Sequence, residues 1–145
     1  MTDHSPILAP IIALVAWSLV MWLWMYARRI PAMNAAKVDI KNLVGGSGAD
    51  LKGVIPRQAQ WPADNYNHLM EQPTLFYAIA LTLALLGSGG GINSKIAWAY
   101  VGLRILHSIV QATVNRVIVR FSIFTLATLC LIALTLHAAM VVFQG

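Results

Sequence analysis

Residues Ile92 to Ala112 read INSKIAWAYVGLRILHSIVQA, an apolar stretch crossed by a polar stripe. Arg104, His107 and Gln111, continued by Asn115, recur at i, i+3, i+7 and i+11, which sets all four on one face of a helix. The rest of the stretch is apolar enough to read as a membrane span. Carrying a charged Arg into hydrocarbon costs at least ~2.5 kcal/mol. The stripe must therefore face a bundle interior, a water-filled cleft or the headgroup layer.

Composition agrees with a membrane setting. Of the 145 residues, 59% are hydrophobic and 10% charged, with a mean hydropathy of +0.70. Soluble domains carry about a quarter charged residues, so the chain reads as an integral membrane protein. Its length suits one compact unit without a second domain. Cys130 is the single cysteine, so neither an internal disulfide nor a cysteine metal cluster is available. It lies in an apolar run and reads as small core filler. The net charge of +5 sits mainly in the connections between apolar runs, and no nucleic-acid partner is expected.

Measured against the ~20 residues that cross the hydrocarbon, four spans are expected, at about 7–27, 69–86, 96–113 and 121–143. A long loop, 28–66, joins the first two. Unbroken apolar runs without strand-like alternation make these helices rather than barrel strands. The expected fold is an all-α, four-helix transmembrane bundle surrounded by membrane lipids. The first run is no cleavable leader, because Asp3 precedes it and its basic residues follow it.

The first connection carries Arg28, Arg29, Lys37, Lys41, Lys52 and Arg57, and the third carries Arg116 and Arg120. The second has only Lys95, and the tails have no Lys or Arg. The positive-inside bias then predicts cytoplasmic first and third connections and both termini outside. With that topology all four helices bring polar groups to one interface: Arg28 and Arg29, then Asn67, His68 and Glu71, then Arg104, His107 and Gln111, then Arg116 and Arg120. A surplus of Arg with one carboxylate suits an anionic ligand that also carries an amine, because the guanidinium fork pairs with carboxylates bidentately. Simpler roles exist for some of them. Arg28 and Arg29 also suit snorkelling anchors, Asp64 an N-cap after Trp61-Pro62, and Asn67 and Glu71 the free N–H groups of a first helical turn.

These residues carry a resemblance. Asn67-His68-Leu69-Met70-Glu71-Gln72-Pro73-Thr74-Leu75-Phe76-Tyr77 resembles the second-helix motif of the MAPEG family, the membrane-associated proteins in eicosanoid and glutathione metabolism. Gly102-Leu103-Arg104-Ile105-Leu106-His107-Ser108 resembles the third-helix pattern Arg-x-x-His, and Arg120-Phe121 falls where the family places an Arg opening the fourth helix. Length, span number and a basic first loop agree, so the likeness covers nearly the whole chain. Asn67 and Glu71 stand one residue further apart than the usual Asn-x-x-Glu, which puts His68 in the Asn place. Gln111 stands where the family carries a tyrosine. The chain is most similar to bacterial-type members, which implies an inner membrane.

The resemblance implies a homotrimer that binds glutathione as co-substrate between neighbours, near the cytoplasmic face, and transfers it to lipophilic electrophiles or reduces peroxides with it. Glu71 would meet the γ-glutamyl amine, supported by Asn67 or His68. Arg28 or Arg29 would meet a carboxylate, with Arg104, His107 and Gln111 lining the cleft. Arg120 would be the catalytic cation, lying by the sulfur and favouring the thiolate. Two other classes fit parts of the pattern. His68 and His107, expected at one depth, suit axial haem ligands. An aromatic first helix with Trp17, Trp22 and Trp24 suits a non-catalytic subunit packed in a larger membrane complex.

Overall fold

A computed structural model describes residues 3–145. Among the described residues there are five α-helices and no named strand: α1 Leu8–Ala35, α2 Arg57–His68, α3 Pro73–Leu85, α4 Ile92–Thr113 and α5 Val117–Gln144, with a 3-10 turn at Gly48–Leu51.

The second expected helix is interrupted. Pro73 has no N–H to give to residue 69 and its ring crowds that carbonyl, which favours a break here with Pro73 opening α3, although α1 and α2 continue through Pro31 and Pro62. The chain instead crosses the join on i→i−3 bonds, Met70 N–H to Asn67 O at 3.0 Å, Glu71 to His68 at 3.1 Å, Thr74 to Glu71 at 3.2 Å and Leu75 to Gln72 at 2.9 Å. With α2 and α3 taken as one interrupted rod, the architecture is the four-helix bundle expected. The long loop 28–66 is not all loop. α1 continues to Ala35 and α2 takes up Arg57–His68, beginning after Pro56, so Asp64 lies inside that helix and does not cap it.

Two of the five helices, α1 and α5, are long and apolar enough by themselves to cross a membrane. The 13 residues of α3 rise only about 20 Å, short of the ~30 Å hydrocarbon. The 22 residues of α4 reach about 33 Å, but Lys95, Arg104 and the polar stripe dilute their apolarity.

One core joins the rods. Leu14 and Met21 of α1 meet Leu69, Phe76, Ala80 and Leu83, together with Tyr100 and Val101 of α4 and Ala127, Leu131 and Leu134 of α5. Alanines at 80, 97, 127 and 138 let backbones approach closely, which is how helices gain packing contact where lipid removes the hydrophobic drive. The Phe76 and Tyr100 rings stack with centroids 4.5 Å apart and 12° between planes. A second cluster, Met33, Leu51, Ile55 and Ala59, fastens the loop to α1 and α2.

Candidate functional site

The interruption before Pro73 is what aims the site. Gln72, at the break, donates to Thr128 Oγ1 of α5 at 2.9 Å and accepts from the Tyr100 hydroxyl of α4 at 3.1 Å. This tie fixes the three elements whose side chains meet one turn below it.

At that level Arg104 is fully buried, at 0% exposure. Its Nη1 lies 3.4 Å from His68 Nε2, and His68 Nδ1 lies 3.3 Å from Glu71 Oε2. Guanidinium only donates and a carboxylate only accepts, so the imidazole between them is neutral, with its proton on Nδ1. Burial above all, then the Arg104 charge, pushes the His68 imidazole below its ordinary 6.5, which agrees with that tautomer. Glu71 is 68% exposed, so its pairing with His68 is screened and worth ~0–1 kcal/mol. His68 acts mainly as the acceptor for Arg104.

His107 joins the cluster, with its ring centroid 5.1 Å from that of His68, and Phe124 of α5 lies 5.5 Å from His68. The Arg104 guanidinium carbon lies 5.8 Å from the Phe124 ring centroid. Arg120 enters from α5, and a cleft of about 220 Å³ is lined by His68, His107, Val117, Arg120, Phe121 and Phe124. Several buried polar atoms here have no partner: Arg104 Nε and Nη2, His107 Nδ1, Ser108 Oγ, Gln111 Oε1 and Arg120 Nε. Buried donors and acceptors are nearly always satisfied, so this concentration marks a place built for something other than packing.

The family's sequence profile matches residues 7–140. This chain belongs to the MAPEG family. No curated protein and no solved structure gives a match. Membership makes it an integral membrane protein of a glutathione-linked family, with the helical membrane bundle described above.

For a MAPEG chain, the structure brings together part of the expected set. Glu71, His68, Arg104, His107 and Arg120 converge, and Gln111 is buried on the same face of α4. Asn67 does not join them; it is exposed, because it lies 100° round α2 from His68. Arg28 is exposed and lines a separate cleft with Pro31, Pro56 and Gln58. Arg29 donates from Nη2 to Gln60 Oε1 at 3.3 Å, and Gln60 donates onward to the Gly48 carbonyl at 2.9 Å. Both arginines thus stand apart from the cluster within one chain.

As placed, His68 and His107 are not arranged as an axial haem pair: their ring centroids are 5.1 Å apart, with 39° between planes. His68 Nε2 is also already occupied by Arg104.

Phe124, Gln72, Tyr100, Ser108 and Asn65 take part without having been expected. Two had a readable signal, since Ser108 and Phe124 stand one turn after Arg104 and Arg120, on the same faces. Asn65 is fully buried with both amide atoms unpartnered, one turn before His68.

Proposed function

We propose that this protein is a membrane-bound, glutathione-dependent transferase, or a peroxidase of the same type, acting on lipophilic electrophiles. The single observation that carries the reading is Arg104. Its cation is wholly buried, two of its nitrogens lack partners, and among the described residues the only side-chain acid–base pair at salt-bridge distance is His68 with Glu71. A buried unpaired charge costs several kcal/mol, and an anionic ligand would remove that cost.

In this reading the Arg104 charge, buried behind His68, draws a carboxylate of glutathione to the cleft, and the exposed Glu71 meets the γ-glutamyl amine. His107 and Gln111 supply hydrogen bonds along the cleft. Arg120 stands by the thiol, where its charge favours ionisation. The thiolate sulfur then bonds to the electrophilic carbon, the electron pair of the broken bond goes to the leaving atom, and the thiol proton follows it. The apolar rim of Val117, Phe121 and Phe124 admits a substrate arriving sideways from the bilayer. Arg28 and Arg29 stand apart from this cleft within one chain and would join it only from a neighbouring subunit of the trimer.

The same reading places the chain in a bacterial inner membrane as a homotrimer, with both termini outside and the α1–α2 and α4–α5 connections cytoplasmic. Calorimetric titration of detergent-purified protein with glutathione tests it. Saturable binding that Arg104→Leu removes supports it. An absence of heat, together with co-purification in fixed ratio with other chains, would replace it with a non-catalytic subunit of a larger complex.

A further inference from the structure

Asn65 of α2 and Ser108 of α4 are polar residues that no bulk solvent reaches. Both are 0% exposed, and Asn65 Nδ2, Asn65 Oδ1 and Ser108 Oγ all lack a hydrogen-bond partner. Turning the Asn65 amide over changes nothing, because both of its polar atoms are unpartnered. Ser108 also departs from other hydroxyls within helices. Ser18, Thr82, Ser122 and Thr128 each donate to the carbonyl four residues back, at 2.8–2.9 Å, whereas Ser108 does not.

Helix register brings the two residues to one level. The short link 86–91 joins α3 to α4, so the α2–α3 rod and α4 run antiparallel. His68 lies 3.4 Å from Arg104 and its ring centroid 5.1 Å from that of His107, so it stands level with the stretch between them. Three residues earlier, Asn65 is about 4.5 Å further along the rod, which is level with Ser108 and within a turn of Gln111. His107 Nδ1 and Gln111 Oε1 are likewise buried without partners.

Enclosure decides what can complete this set. At 0% exposure within one chain, neither a neighbouring subunit nor a lipid nor a substrate touches Asn65 or Ser108. Water is small enough to be enclosed, and an enclosed water makes roughly two to four bonds to groups of this kind. The Asn65 amide donates through Nδ2, Asn65 Oδ1 and Gln111 Oε1 accept, and the Ser108 hydroxyl does either.

The consequence falls on His107. Its Nδ1 is the buried, unpartnered ring nitrogen, and the ring lines the cleft beside Arg120, so Nε2 is the nitrogen that faces the cleft. The bond made by one ring nitrogen decides which of the two carries the proton.

We propose that Asn65, Ser108 and Gln111 hold enclosed water that accepts a hydrogen bond from His107 Nδ1–H, leaving Nε2 as an unprotonated acceptor in the cleft. Asn65 and Ser108 are then positioning residues that act on His107 through water. The use of that acceptor rests on the glutathione reading. As the thiol S–H bond breaks, its electron pair stays on sulfur, the proton goes to His107 Nε2, and His107 passes it to the leaving atom. The water site itself does not rest on that reading.

Solid-state NMR of the ligand-free protein in deuterated lipid, with isotope-labelled His and Asn, tests the site. Magnetisation should pass from water to the Asn65 side-chain amide, and the His107 signals, assigned with His107→Gln, should show the proton on Nδ1. Asn65→Leu and Ser108→Ala should shift His107 toward the other tautomer, and Ser108→Thr, which keeps the hydroxyl, should not. No transfer to Asn65, or a neutral His107 protonated on Nε2, overturns the proposal in the unaltered protein, so no variant has to fold. An unchanged His107 in both Asn65→Leu and Ser108→Ala overturns it too. With glutathione, Asn65→Leu should lower kcat about tenfold or more at nearly constant KM. A shifted tautomer with unchanged kcat overturns the catalytic use of Nε2. The expected water and tautomer in a protein that binds no glutathione would defeat the glutathione reading alone.

Discussion

Arg104 donates to His68 at 3.4 Å, a buried cation resting on a neutral imidazole instead of a carboxylate. The acid of the cluster, Glu71, lies on the far side of that ring. The arrangement leaves the Arg104 charge uncancelled and makes His68 the acceptor on which it rests.

Removing that acceptor should be costly. His68→Leu keeps the volume but leaves all the Arg104 donors of the described chain without a side-chain acceptor, and a loss of about 3 kcal/mol is expected. His68→Gln retains an amide oxygen and should lose about 1 kcal/mol. Denaturant unfolding in mixed micelles measures both. Equal losses would show that His68 only fills space.

Acid should weaken the same contact. The folded state holds the His68 pKa below its unfolded value of 6.5, so it binds that proton less readily than the unfolded chain does. The stability this group protects is present above about pH 6.5 and falls as pH drops through it. Asp64 works in the opposite direction, since burial raises its pKa from 3.8, and its effect enters only at lower pH. Between about pH 7.5 and 5.5 the unfolding temperature should therefore drop, and His68→Gln should drop less. Parallel curves would assign the acid sensitivity to another group.

The stripe of α4 was legible because a 3.6-residue period survives any tertiary arrangement, and Arg104, His107 and Gln111 do share a buried face. The extent of the helices was less so. α1 runs eight residues beyond Ala27 to Ala35, through Pro31, where Met33 packs on Leu51, Ile55 and Ala59 of the segment that folds back, and hydropathy cannot register that. α2 was hidden by its polar composition and by Pro62, and its face became defined only by packing on α1 and α4. The roles of Gln72 and Phe124 were beyond any local pattern, because each exists only where three elements meet. The setting of Arg29 was hidden for the same reason, because Gln60 and Gly48, distant in sequence, decide where its guanidinium lies within the chain.

Topology has a direct test. In a chain with Cys130→Ala, single cysteines at positions 3, 48 and 144 should divide by side, with 3 and 144 reached by an impermeant maleimide from outside and 48 protected until the membrane is opened. Labelling of 48 alone in intact cells would invert the orientation.

Arg120 and Glu71 should separate by what they change. Arg120 lines the cleft beside His68 and His107, and its Nε is buried without a partner. Arg120→Ala removes the cation that favours the charged form of a bound thiol, so the pKa of that thiol should rise and turnover fall, about tenfold or more, with modest loss of affinity. On the glutathione reading Glu71→Gln removes the exposed charge proposed to meet the ligand amine, so affinity should fall several-fold while the bound thiol keeps its pKa. Ultraviolet difference absorbance of the thiolate across a pH series reads the first effect, and calorimetry reads the second. If both variants lose affinity alike and neither moves the thiolate titration, Arg120 is a binding cation and the sulfur lies elsewhere in the cleft.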